Sequence, residues 1–354
     1  MAYTEILTGA GVTVSQWENR IMAEYIGQLW MKNLMGPSAD AVIQVKSDLT
    51  KMPGDAINIG LRSQMFGGYV SGNAFGLGNE GRVDFYNQRI TIDNVRHLVR
   101  FDDIPMSQKR VGWDLLNMGR EALVEKARIR LDEDILAALS GTSTGRVRGR
   151  YLYGAVDSNW NATHTTALTN VDNTADQLTT NMIRIAKRKA KIPVNATARI
   201  RPMNVKVGMN YEEWFVFVAH PYCVRDLIDN DAAYRNSQTL LPPNSNRESP
   251  LFTGNAFKGN YDGVLIYEYD RIQLVSSTIQ CAHNLFLGAQ SGAVVWGQMP
   301  KFGEQEQDIG HTVSYEVHEI RNQVKLVFDR NVVDSSISNE DNGIVHVFAA
   351  AVAD

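Results

Sequence analysis

His220 and Cys223, spaced H-x-x-C, and Cys281 and His283, spaced C-x-H, are each sterically reasonable clips for a zinc ion. Together they would supply the four nitrogen and sulfur donors of a tetrahedral site, or a metal-activated hydrolase. The two pairs are far apart in the chain, however, and each sits in an apolar stretch with a packing role of its own. Gly76, Gly78 and Gly81 spell G-x-G-x-x-G, the fingerprint of a dinucleotide site. That motif works only between a buried strand and a helix whose N-terminus holds the pyrophosphate. Here glycine-rich chain precedes it and strand-like sequence follows, which argues against nucleotide. The acidic run Asp132, Glu133, Asp134 offers carboxylates. Successive helical positions point about 100° apart, so the three cannot converge on one ion, and solvation or a subunit contact is expected. Lys187, Arg188, Lys189 and Lys191 form the densest basic cluster, expected as a solvated helix end or a phosphate contact. No H-E-x-x-H, G-x-S-x-G, P-loop or Cys-x-x-Cys spacing occurs. No catalytic, cofactor-binding or metal-ligating residue is therefore assigned, and no cofactor is expected.

The elements that must position these groups are organised around Ser107 to Gly141. Leu116, Leu123, Ala127, Leu131, Ile135 and Ala138 recur there at three- and four-residue spacing. This predicts one long amphipathic helix, capped by Ser107 and ended by Gly141 in the left-handed region. Arg128 with Asp132 and Arg130 with Asp134 are spaced as (i, i+4) ion pairs on a solvated face.

Composition sets the class. The 354 residues are 44% hydrophobic and 21% charged, with a net charge of −4 and two cysteines. That permits one large core or two modest ones. It also argues against a dedicated nucleic-acid binder and against a disulfide framework. No apolar run approaches the roughly 20 residues of a membrane span and no signal peptide is evident, so a soluble cytoplasmic product is expected.

Residues 1–15 read as a small, polar arm, and Gln16 to Met35 as an amphipathic helix stopped by Gly36-Pro37. A strand at Ala56 to Leu61 and a second extended run from Arg82 to Phe101, bent near Asp93-Asn94, flank a segment rich in glycine from Gly67 to Gly81. This geometry is a long hairpin with a flexible tip. After the long helix comes a polar connector from Gly145 to Thr174, then a helix from Thr174 to Lys191 ended by Pro193. A buried strand follows at Trp214 to Ala219, with a short helix from His220-Pro221 to Ile228 and a loop around Pro242-Pro243. Further strands are expected at Gly263 to Tyr269, Asn284 to Leu287, Thr312 to Ile320, Val324 to Phe328 and Ile344 to Val352, with a helical or turn segment at Gln290 to Gly297.

The order of elements resembles the major capsid proteins of tailed bacteriophages with the Hong Kong 97-type fold, an α+β architecture. More narrowly, several stretches are similar to the family typified by the phage N-four major capsid protein. They are Gly78-Asn79-Glu80, Tyr86-Asn87, Ile90-Thr91-Ile92-Asp93, Val95-Arg96-His97, Val99-Arg100, Met106 to Val111, Trp113-Asp114-Leu115 and Arg130 to Asp134. Looser matches follow at Val264 to Tyr269, Leu287-Gly288-Ala289-Gln290, Asp308 and Asp341 to Val345. The resemblance implies an N-terminal arm and helix at 1–50, an E-loop hairpin at 51–95, a P-domain with a spine helix at 96–194 and 300–354, and an A-domain at 195–299. It implies self-assembly into hexamers and pentamers of an icosahedral head around packaged double-stranded DNA. Contact with that DNA would be non-specific. Scaffolding, portal and cement proteins are the implied partners, the virion and the host cytoplasm the implied locations, and no membrane is involved. The chain lacks an obvious N-terminal scaffolding segment, which points to a separate scaffold or none. The alternatives are an encapsulin-like compartment shell and, from another class, a hydrolase using His220, Cys223, Cys281 and His283.

Overall fold

The structure is a computed structural model that describes residues 29–50, 53–62, 70–72, 76–81, 83, 85–111, 114–141, 146–192, 199–207, 210–240, 256–308, 311–328 and 340–353. The expected arm at 1–15, residues 16–28 of the helix expected from Gln16 to Met35, Gly67, Gly68, Pro193 and the expected loop at Pro242-Pro243 lie outside the described residues. The described end of that expected helix is a 3-10 helix, Trp30–Leu34, followed by the strand at Met35–Gly36.

Two sheets carry the fold. The first has five strands in the order β1 (Met35–Gly36), β2 (Ile43–Lys46), β13 (Gly292–Gln307), β14 (Thr312–Lys325), β5 (Asp93–Phe101). The second runs β6 (Tyr151–Tyr153), β17 (Ile344–Ala350), β12 (Gln280–Leu287), β8 (Asn210–Ala219), β10 (Val264–Glu268), β9 (Phe257–Tyr261). Onto it β7 (Met203–Val207) pairs with β8, and β11 (Leu274–Ser276) with β12. A hairpin of β3 (Ala56–Arg62) and β4 (Phe85–Thr91) and a small pair, β15 (Val327–Phe328) with β16 (Glu340–Asp341), complete the strands. The helices are α1 (Ile104–Arg110), α2 (Leu115–Ser140), α3 (His164–Thr169), α4 (Thr180–Lys191), α5 (Pro221–Asn230) and α6 (Ala232–Leu240). Of residues 290–297, expected as a helix or turn, Gln290 lies in a turn and Ser291 in a bend, but 292–297 open the 16-residue strand β13. Val294, Val295 and Trp296 there are β-branched or aromatic and all are buried, which is what a strand covered on both faces demands.

The second sheet is covered on both faces, which explains its unbroken apolar strands. Along β8 and β10 alternate residues divide: Val216, Val218, Leu265 and Tyr267 join one core cluster, while Phe215, Phe217, Val264 and Ile266 join another. The first cluster also holds Leu123, Ala127, Leu131, Ile135 and Leu139 of α2 with Val294, Val313, Tyr315 and Val317 of the five-stranded sheet. The second holds Met182, Ile183, Ala186 and Ala190 of α4 with Cys223, Val224 and Leu227 of α5. The layers are thus one sheet, α2, the other sheet, then α4 and α5.

The expected single helix from Ser107 to Gly141 is two helices. Asp114 adopts an extended backbone and accepts hydrogen bonds from the Leu116 and Asn117 N–H groups (3.1 and 3.3 Å), so it, rather than Ser107, caps α2. Ser107 lies inside α1, its hydroxyl donating to the Asp102 carbonyl (3.3 Å). At the far end Gly141 has φ −53°, not the positive value expected. The 26 residues of α2 extend roughly 39 Å. Close approach, not backbone freedom, selects Gly119: a Cβ there would lie 2.3 Å from the Phe101 ring, so the missing side chain lets α2 settle against β5.

The segment from 146 to 174, expected as a polar connector, is a packed aromatic corner. Tyr151 and Tyr153 of β6, Trp160, Leu168 and Phe348 form a cluster of their own, with Tyr153 stacked on Phe348 at 4.8 Å. Its arginines are absorbed locally. The Arg146 guanidinium lies over Tyr151, Tyr153 and Trp160, Arg148 pairs with Asp157 (2.9 Å), and Arg150 is buried against Glu340 (2.6 Å). The helix expected from Thr174 starts at Thr180.

Replacing Leu131, fully buried in the α2 stripe, by Asp places an unpaired carboxylate in the core and costs several kcal/mol. Leu131→Asp should be insoluble or lose cooperative melting, whereas Glu125→Ala, on the exposed side, should melt within a degree or two of the parent. Equal melting of Leu131→Asp and the parent would show that the stripe is not core.

Candidate functional site

The hydrolase alternative meets its test first. His220 caps α5, its Nδ1 accepting from the Tyr222 N–H (3.2 Å). Cys223 lies within α5 with Asn284 Nδ2 3.4 Å from its sulfur. Cys281 packs in the aromatic corner, and His283 Nε2 faces His346 Nδ1 at 2.8 Å. Burial pushes the Cys223 thiol up to about 12 and the Cys281 thiol up to about 11, so neither supplies a thiolate at neutral pH. Among the described residues no group of three His, Cys, Asp or Glu side chains is arranged to hold a metal ion.

The glycine fingerprint is likewise placed outside its working context. Strand β4, not a helix, follows Gly81, and the Gly78 N–H is used within the loop, donating to Glu80 Oε2 (2.8 Å). Gly78 itself has φ +89°, a turn conformation that L side chains rarely adopt.

Each carboxylate of the acidic run serves a different part of the same chain, correcting the expectation of solvation. Asp132 is buried and accepts from the Trp30 and Met31 N–H groups (3.1 and 3.4 Å); burial raises its pKa against the pull of those bonds. Glu133 pairs with Arg271. Asp134 pairs with Arg130 as expected (2.9 Å), and also with the fully buried Arg321 (2.9 Å), which in turn reaches Glu319 (2.5 Å).

Sequence reasoning missed a buried relay at the C-terminal strands. Lys325 Nζ lies 2.7 Å from Asp341, whose second oxygen lies 3.1 Å from His346 Nε2. Burial alone would disfavour the Asp341 carboxylate, but the His346 N–H and the Lys325 ammonium outweigh it and hold its pKa well below the usual range. With Asp341 ionised, His346 Nε2–H donates to it. Burial keeps both imidazoles neutral, so His346 Nδ1 must accept from His283 Nε2–H. A His–His–Asp chain of this kind resembles acid–base machinery, yet His346 is fully buried and His283 nearly so. These groups lock β12, β14, β16 and β17 together. The partners stand up to 63 residues apart, so no local spacing could have announced them.

What the surface offers is apolar. The β3–β4 hairpin is anchored at its base, where Ile59 and Ile90 pack on Ala293, Val295 and Phe328, and Gln88 exchanges hydrogen bonds with the Lys325 carbonyl and the Val327 N–H (3.2 and 2.8 Å). Beyond that base Leu77 is 87% and Phe85 76% exposed. Leu98, on the edge strand β5, is 61% exposed.

The model of one protein family, described as phage capsid protein, matches residues 5–353. Among solved structures, the cyanophage Pam1 capsid asymmetric unit aligns over all of both chains at 23% identity and a TM-score of 0.75. The capsid of Ralstonia phage GP4 covers 99% of this chain and 96% of its own at 21% identity and 0.75. The head structure of Helicobacter pylori bacteriophage KHP40 covers 99% and 95% at 13% and 0.67. No curated protein sequence matches the chain.

Histidines kept neutral by burial make the fold acid-sensitive. An unfolded imidazole binds a proton near pH 6.5 while the folded ones do not, so stability is full above that value and falls as pH drops below it. The melting temperature should fall between about pH 7 and pH 5. In His283→Gln, which keeps a donor toward His346, the parent should lose more over that interval than the variant. Identical slopes would remove His283 from the account.

Proposed function

This chain belongs to the phage capsid protein family and has the Hong Kong 97-type fold, and from that premise we propose that its shell is built of hexamers and pentamers enclosing double-stranded DNA. As a major capsid protein it forms the phage shell and resides in the virion. The family match favours a phage head over the compartment-shell alternative. We assign the role as structural, not catalytic: His220 caps α5, Cys223, Cys281 and His283 are packed in the interior, and burial holds both thiols protonated.

The observation that carries the assembly reading is the β3–β4 hairpin. Its base shares a core with the body, so it is held at a fixed angle, while Leu77 and Phe85 beyond the base are largely exposed. A closed shell covers such side chains with a neighbouring subunit. On this reading 51–95 is the E-loop, 1–50 the N-terminal arm and helix, 96–194 with 300–354 the P-domain, and 195–299 the A-domain. The eight-stranded sheet is then the joint, because β6 and β17 come from the P-domain segments and β8, β10 and β12 from the A-domain segment. On the same reading a portal and any separate scaffolding or cement protein would complete the head, with assembly in the host cytoplasm.

Replacing Gly67 to Gly81 by a short turn tests the reading. The shortened protein should still melt cooperatively, because the hairpin base and both large cores are untouched. It should fail to assemble, because the removed surface lies on neighbours and its glycines let one sequence meet the different curvatures of hexamers and pentamers. Closed shells of unchanged size, seen by electron microscopy and light scattering, would remove the E-loop assignment.

A further inference from the structure

Several surface arginines find carboxylates: Arg96 meets Glu316, Arg120 meets Glu304, Arg130 meets Asp134, Arg148 meets Asp157 and Arg271 meets Glu133. Helix α4 instead gathers cations on one face. Its apolar stripe of Met182, Ile183, Ala186 and Ala190 is buried, and Lys189 is buried with it, reaching Asp157 (2.5 Å) and the Arg148 carbonyl (2.9 Å). This corrects the expectation that the whole basic cluster is a solvated helix end. Arg184, Lys187, Arg188 and Lys191 instead line a concave surface pocket of about 450 Å³ together with Asn181, Ile192 and Asp262. One acid, Asp262, is present, and Lys187 holds it (2.9 Å). Arg184, Arg188 and Lys191 are exposed and have no carboxylate within ion-pairing distance among the described residues.

We propose that this α4 face is the surface through which the shell meets the phosphodiester backbone of the packaged duplex, an inference that rests on the capsid reading above. Three properties favour phosphate over a protein carboxylate as the occupant. The unpaired groups stand at 184, 188 and 191 along one face, spanning about 10 Å of helix, a length over which a duplex presents about six charges counting both strands. Two of the three are arginines, whose planar fork matches two phosphate oxygens at once. No aromatic or large apolar side chain other than Ile192 lines the pocket, so nothing there reads bases or anchors a protein partner. Such contact is indifferent to sequence and steeply dependent on salt, as suits a container that must hold any genome of its length.

The test uses the full chain and a short random-sequence DNA duplex, with binding followed by fluorescence anisotropy from about 50 to 200 mM salt. The comparison is between the parent, the triple variant Arg184→Gln/Arg188→Gln/Lys191→Gln and a control, Lys109→Gln/Arg110→Gln, which removes exposed positive charge from α1. The triple variant should bind at least tenfold more weakly at low salt, with a log–log salt slope shallower by about 2 to 3, and should still form shells of parental size. The control should bind like the parent. An unchanged slope in the triple variant, or an equal loss in the control, would overturn the assignment. So would loss of shells by the triple variant alone, since the face would then lie between copies. Failure of the parent itself to form shells would tell against the capsid reading instead, and the two results are separable.

Discussion

A buried carboxylate on a long helix must find donors, as Asp132 does, and the run Asp132, Glu133, Asp134 splits its three groups among three remote parts of the chain. Asp132 takes the Trp30 and Met31 N–H groups, Glu133 takes Arg271 and Asp134 takes Arg321. Because consecutive helix positions diverge by about 100°, each bond points into a different layer. The segment entering at Trp30, the loop before β11 and the strand β14 are therefore all referenced to one turn of α2. Trp30 is further fixed by stacking on Tyr269 at 4.3 Å. Hydrophobic burial alone is non-directional and would tolerate sliding of α2 along the sheet; these bonds set its register.

The same logic holds at the other end of the molecule. Arg150 with Glu340 and Lys325 with Asp341 are ion pairs with side chains almost wholly out of water. Desolvating such pairs costs as much as they return, so their value lies in specificity, while removing one partner would cost about 3 to 5 kcal/mol. They tie the short pair β15–β16, which leads into β17, to the aromatic corner and to β14. Strand β17 pairs antiparallel with β12 and parallel with β6, so this closing segment completes a sheet begun almost 200 residues earlier. Such topology is slow to form and rigid once formed.

Local pattern carried much of this architecture. The stripe from Leu116 to Ala138, the alternation in β3, the bend that separates β4 from β5 and the continuous apolar run of β8 are all readable because burial imposes a period of 3.6, of 2, or none. What could not be read is whatever depends on distant partners. Asp114 displaced Ser107 as the cap because its carboxylate sits where the N–H groups of Leu116 and Asn117 converge. Residues 292–297 look helical or turn-like in isolation, and become a strand because β2 and β14 flank them. Arg146, Arg148 and Arg150 look like a solvated connector until Tyr151, Tyr153, Trp160, Asp157 and Glu340 are brought round them. The zinc and dinucleotide motifs were set aside in the sequence on context, and the structure gives their residues other work. The relay through His283, His346, Asp341 and Lys325 had no local signal at all.

The distribution of satisfied and unsatisfied groups then separates folding from assembly. Inside the body, the buried or half-buried groups of Asp132, Asp134, His283, Asp341 and His346 find partners within the chain. Outside it, two kinds of exposed group stand out among the described residues: apolar side chains such as Leu77, Phe85 and Leu98, and positive charge on α4. Apolar surface is satisfied by removal from water, which only a shape-matched solid partner achieves, whereas fixed charge is satisfied by a mobile polyanion without any matched shape. A shell protein has both kinds of neighbour, one ordered and one not. On the proposed reading the net charge of −4 adds a constraint: a duplex repelled by the chain as a whole would be met where positive charge is concentrated. That is why four cations gathered on one helix matter more in this chain than the same four scattered over a basic protein.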